Sequence, residues 1–148
     1  LVRSWLDEPV ARWRSLAMRA EASGERLSER DRQVAAALRA RGDGDMAATC
    51  ERWRELARRL SDDFVAQYGL ADCLVQDDGV LHGPATRSGW RFRSNLGEAG
   101  EASARALRNH SPGTPGAAPP DVRSTVGSVA WASSALDAET FDDRYGTA

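Results

Sequence analysis

Between Asp45 and Tyr68 the apolar residues Met46, Cys50, Trp53, Ala57, Leu60 and Phe64 are spaced alternately four and three apart, and Leu56 and Tyr68 widen the stripe. That spacing places them on one face of an α-helix, since 3.6 residues complete a turn. A helix with one dry face is stable in water only when that face is covered, so this stretch commits the chain to a packed helical body. Asp45 stands where a cap belongs. Read as one element, the helix runs to Tyr68, about 35 Å at 1.5 Å per residue. Its wet face carries Glu51 with Arg54, and Glu55 with Arg58 and Arg59, at separations that favour pairing.

Two shorter helices are expected before it. In DEPVARWRSLAMRAEASG, Pro9 sits in the first turn, Asp7 and Glu8 sit at the positive end of the dipole, and Gly24 is the stop. Its apolar face is Val10, Trp13, Leu16, Ala17 and Ala20. SERDRQVAAALRARG starts at Ser28, with Asp31 three residues on as an imperfect capping box, and stops at Gly42. Val34 and Leu38, widened by Ala35 and Ala37, give it a thin dry face that needs a partner to pack on.

After Gly69 the period changes. Three turn signals, Asp78-Gly79, Gly83-Pro84 and Ser88-Gly89, separate short runs that suit strands at Leu74 to Gln76, Val80 to His82 and Trp90 to Arg93. In the last run Trp90 and Phe92 share one face, expected to point inward, while Arg91 and Arg93 share the other. Asn95 then caps a further helix whose box Glu98 completes, built mostly from alanine, glycine and serine up to Leu107. The fold class expected is mainly α: a bundle of three to five helices with a small β-hairpin or meander at about 74–93. A helical body with this β appendage occupies 1–110, followed by a Pro/Gly-rich hinge at 111–121 and a C-terminal docking arm at 122–148.

The hinge, SPGTPGAAPPDV with four of the chain's six prolines, leads to a segment that is not polar filler. Val122, Val126, Val129, Trp131, Leu136, Phe141 and Tyr145 follow it. Left in water these side chains form an exposed apolar area, so they are expected to form a protein interface, against the chain's own helices or a neighbouring subunit. Helix and strand readings are both open for 122–131.

Chemistry-bearing motifs are sparse. The sequence holds no glycine-rich phosphate loop and no nucleophile elbow. Cys50, Cys73, His82 and His110 match the inventory of a zinc site but not its spacing, because ligands normally come as close pairs. Cys50 lies on the apolar stripe and reads as a small core residue, with a disulfide left open. Asp77-Asp78 and Asp142-Asp143 are paired carboxylates that read as turn and surface features. No catalytic residue, metal or other cofactor is expected, and an enzyme is the less favoured reading.

Every one of the 20 basic residues is arginine, and lysine and isoleucine are absent. The missing residues have A- and T-rich codons, so a GC-rich genome, actinobacterial or phage, accounts for the bias without any phosphate-binding role. Residues 1–70 carry thirteen arginines and twelve acids, whereas 111–148 carry two arginines and five acids. A balanced body and an acidic tail argue against wholesale binding to nucleic acid. No run approaches the roughly 18 apolar residues of a membrane span.

From Leu74 through the turn-rich loop to Trp90-Arg91-Phe92-Arg93 and into the helix at Asn95, the chain resembles the hairpin wing and following helix of bacterial winged-helix regulators. That resemblance implies DNA binding, with Arg91 and Arg93 as the contacts. It departs upstream, where a short recognition helix is expected and a long amphipathic helix with Asp62 and Asp63 in its last turns stands instead. The favoured expectation is a non-enzymatic component of a larger assembly, homo- or hetero-oligomeric, such as a head–tail or capsid-associated phage protein found in the cytoplasm or the virion.

Overall fold

The computed structural model describes residues 10–23 and 26–109. It is mainly helical, with five helices and one two-stranded sheet among these residues. The elements run α1 (Val10–Ala22), α2 (Glu29–Gly42), α3 (Met46–Arg59), α4 (Phe64–Gln76), β1 (Val80–His82), β2 (Trp90–Phe92) and α5 (Leu96–Asn109). The chain divides into two compact units, Leu1–Ser61 and Asp62–Ala148. The expected hinge and arm at 111–148, and the cap residues Asp7, Glu8 and Pro9, lie outside the described residues.

In the first unit α2 packs against α1 on one side and α3 on the other. Its middle position explains its thin dry face, in which Val34, Ala35 and Ala37 are buried: small side chains let two neighbours approach one narrow helix. The caps are those the sequence announces. Ser28 Oγ accepts from the Asp31 amide at 3.1 Å, and Asp45 Oδ1 accepts from the Ala48 amide at 2.9 Å. α3 buries Thr49, Cys50, Trp53, Leu56 and Ala57. On its wet side Arg54 reaches Glu51 at 2.7 Å and Arg58 reaches Glu55 at 2.8 Å. The expected face of α1 is only partly used: Ala17 is buried while Leu16 is exposed. Trp13, half-buried, has the Arg41 guanidinium 5.6 Å from its ring centre, a cation–π contact that ties α1 to α2.

The expected long helix is two helices. After Arg59 the backbone leaves the helical region at Leu60 (φ −124°, ψ 68°), and Asp63 starts α4 by accepting from the Ala66 amide at 2.9 Å. The apolar spacing continues through this break, so periodicity alone does not reveal it. The run Ser61-Asp62-Asp63 carries the signal, since short polar side chains cap helices more readily than they extend them.

α4 buries eight of its thirteen residues, from Ala66 to Leu74, so it forms the centre of the second unit. α5 lies against it and buries Ala99, Ala102, Ser103 and Ala106, a stripe of small side chains that permits close approach. Leu74 to Gln76, expected as a strand, belongs to α4. A short apolar run fits a buried helical turn as well as a strand, and here continuity with α4 decides it. The sheet is therefore a hairpin and not a three-stranded meander. β1 and β2 pair antiparallel, with Val80 opposite Phe92, Leu81 opposite Arg91 and His82 opposite Trp90.

Gly42, read from the sequence as a helix stop, has a second role. A Cβ there would lie 2.7 Å from the Arg14 backbone nitrogen and 2.8 Å from its Cα, so glycine lets α1 and α2 meet at this point. Because the obstacle is backbone, Gly42→Ala must push the helices apart. Chemical denaturation should show a loss of about 1–3 kcal/mol, in contrast to the gain that alanine gives at an open helical site.

Candidate functional site

The residues with the most specific geometry surround Asp77, at the C-terminal end of α4. Its side chain is only 2% exposed. A carboxylate withdrawn so far from water needs its charge and lone pairs matched. Arg93, just past β2, donates from Nε to Oδ2 at 2.8 Å and from Nη2 to Oδ1, a two-pronged pairing. The Ser94 hydroxyl donates to Oδ2 at 2.8 Å, and the Gly79 amide donates to Oδ1 at 3.1 Å. The Arg93 amide also donates to the Gly79 carbonyl at 2.7 Å, closing the base of the hairpin. Arg93 first, and then Ser94 and Gly79, hold the Asp77 carboxyl below its ordinary value despite the opposing effect of burial.

Above this clasp the strands and their loop stand as a hydrogen-bonded unit. The Gly83 amide donates to Gly89 O at 2.8 Å, and the Thr86 hydroxyl lies 2.8 Å from both Gly83 O and Trp90 O. Gly89 adopts φ +77°, a region that side-chain-bearing residues rarely enter, so the Ser88-Gly89 signal marks a real conformational need. The register puts Val80, His82, Trp90 and Phe92 on one face. His82 and Trp90 meet edge to face with centroids 5.6 Å apart. This face is not turned inward as expected: Val80 is 51% exposed and Trp90 50%, while Phe92 is half-buried. The strands pack chiefly on each other, so the aromatic pair shields itself only in part.

Arg91 and Arg93, expected on one face, have different fates. Arg93 lies beyond the strand and is committed to Asp77. Arg91 is exposed on the other face, opposite Leu81, with its aliphatic stem against Gly83 and a long 3.4 Å contact from Nη1 to Phe92 O. The clasp was legible once the register was known, since pairing Val80 with Phe92 sets Gly79 beside Arg93 and brings Asp77 within reach.

The first unit holds a groove of about 360 Å³ over Ala36, Ala40 and Ala48, rimmed by Glu21, Arg39 and Arg52. Arg39 is bound to Glu21 at 2.6 Å, and the mixed signs of the rim favour no single ligand charge. Neither Cys50 on α3 nor Cys73 on α4 is a free thiol, and both are buried, a point the sequence left open. Among the described residues no cluster of three or more His, Cys, Asp or Glu side chains could hold a metal ion. His82 is exposed on the hairpin, while His110, Asp142, Asp143 and the arm residues Val122, Val126, Val129, Trp131, Leu136, Phe141 and Tyr145 lie outside the described residues.

The chain matches no protein family, no curated protein and no solved structure. No helix among the described residues is long and apolar enough to cross a membrane.

Asp77→Ala should cost about 3 kcal/mol in denaturant unfolding, because it leaves a guanidinium, a hydroxyl and an amide without their common acceptor. Arg91→Ala on the exposed face should cost less than about 0.5 kcal/mol. The lowered Asp77 value also fixes the sign of a pH effect. Its stabilisation is complete above the ordinary carboxyl value of 3.8 and is lost as pH falls through the lower folded value. Unfolding measured from pH 7 downward should therefore show a smaller acid loss in Asp77→Asn than in the parent chain.

Proposed function

We propose that the chain is a non-enzymatic structural component that works by protein–protein contact in a larger homo- or hetero-oligomeric assembly. The observation that carries this reading is the apolar face of the hairpin. Half of Trp90 and half of Val80 remain in water on a platform that the Asp77 clasp and the Thr86 bonds hold in shape. An apolar aromatic surface on a fixed scaffold suits a protein partner better than a small substrate. The arm residues from Val122 to Tyr145 supply a second apolar element, beyond a proline-rich hinge.

A head–tail or capsid-associated phage protein from a GC-rich host, present in the virion or the cytoplasm, is the finer form of this proposal. The arginine-only basic composition and the body-plus-arm layout favour it. DNA binding through the hairpin is the alternative, and it draws less support. Arg93 spends its charge on Asp77, which leaves Arg91 as the exposed cation of the pair.

The native mass of the full-length protein tests the assembly reading. Light scattering or native mass spectrometry at micromolar concentration should report a multimer, or a complex once its partner is present. A monomer that stays monomeric across the concentration range and gives a salt-dependent shift of duplex DNA would favour the regulator instead.

A further inference from the structure

The two strands of the hairpin differ at their outer edges. The Arg93 amide donates to Gly79 O at 2.7 Å, and the Gly83 amide donates to Gly89 O at 2.8 Å. These bonds make Gly79 with Arg93, and Gly83 with Gly89, hydrogen-bonded pairs; by the alternation of an antiparallel ladder, Val80 with Phe92 and His82 with Trp90 are not. The backbone N–H and C=O groups of Val80 and His82 therefore point away from β2, and those of Trp90 point away from β1. On the β2 side the chain satisfies its own edge at Trp90. Its carbonyl accepts from Thr86 Oγ1 at 2.8 Å and from Ser88 Oγ at 3.2 Å, and its amide donates to Ser88 Oγ at 3.3 Å. On the β1 side all three residues are exposed, and nothing among the described residues bonds to the outward groups of Val80 and His82. An open edge of this kind is a template for another strand.

The edge itself decides which strand fits. Pro84 has no N–H to offer and Asp78 stands shortly before β1, so the usable stretch is Val80-Leu81-His82. Set antiparallel to itself about Leu81, this stretch places Val80 of each copy opposite His82 of the other, and every outward donor and acceptor of the stretch is met. The side chains match as well. On one face Val80, 51% exposed, comes beside His82 of the second copy, which extends the row formed by Trp90 and His82. On the opposite face Leu81, 40% exposed, meets Leu81 of the second copy, and Arg91 stands outside it. The leucine pair holds the two Arg91 side chains apart, so no like charges face each other.

We propose that β1 is a self-association edge, pairing antiparallel with β1 of a second copy about Leu81 to make one continuous four-stranded sheet. This rests on the assembly reading and names its joint. Three residues a side cover less than the roughly 800 Å² per partner of a standard interface, so the joint is weak and its population rises with protein concentration.

Cysteine crosslinking of the full-length protein tests the register. Neither native cysteine is a free thiol, so Leu81→Cys supplies the reactive one, with circular dichroism confirming an unchanged helical signal. Opposed residues at the centre of such a pairing lie about 4.5 Å apart at Cα, within disulfide reach, whereas two cysteines at position 91 stand about 15 Å apart. Under oxidised glutathione at high protein concentration, Leu81→Cys should yield at least tenfold more covalent dimer than Arg91→Cys. Leu81→Lys sets like charges against each other at the centre, and should raise the concentration needed for association severalfold. Equal crosslinking from the two positions, or a native mass that Leu81→Lys leaves unmoved, would overturn the proposal. Either result in a parent chain that is multimeric removes the β1 edge and keeps the assembly reading, while a parent that stays monomeric at every concentration, alone and with its partner, removes both.

Discussion

A carboxylate taken almost wholly out of water governs the second unit. Asp77 ends α4, Gly79 precedes β1, and Arg93 and Ser94 lie between β2 and α5, so one side chain ties the α4–β1 connection to the β2–α5 connection. The bonds do not need to add much net stability to matter. Leaving any of these groups buried without its partner is costly, and that cost excludes other placements of the hairpin relative to α4 and α5. The hairpin is three residues a side, too small to hold a fixed position on its own cross-strand bonds. Its exposed aromatic face therefore has a defined position because Asp77 gives it one.

The helices follow a different economy. α5 presents alanine and serine to α4, and α2 presents valine and alanine to two neighbours. Small residues bury little area each, so stability depends on backbones coming close, and closeness makes single glycines such as Gly42 decisive. The larger buried apolar residues are Trp53 and Leu56 on α3 and Leu70 and Leu74 on α4.

Local signals were the most legible part of the sequence. Ser28, Asp45 and Asn95 cap the helices they were expected to cap, and the strands at Val80 and Trp90 stand where the turn residues put them. What sequence did not disclose was set by non-local competition. The apolar stripe runs on through Leu60 and Phe64 with unbroken spacing, so the change of helix at Asp63 was visible only as a polar cluster. Leu74 to Gln76 was expected as a strand, because a short apolar run does not show that it continues the helix before it. Alternation correctly grouped Trp90 with Phe92 but could not say that the hairpin would pack on itself and leave that face wet. Arg93 looked like a free cation because its partner lies sixteen residues away.

A fixed hairpin with an uncovered aromatic face is the physical basis for reading the protein as an interaction component, and that reading fails if the hairpin is loose. Residue-resolved amide hydrogen exchange addresses this most directly. The amides of Gly79 and Arg93, which donate to the Asp77 carboxylate and the Gly79 carbonyl, should exchange as slowly as the buried amides of α4 and α5. Exchange of those two amides at the rate of an open chain, with α4 and α5 still protected, would contradict the account.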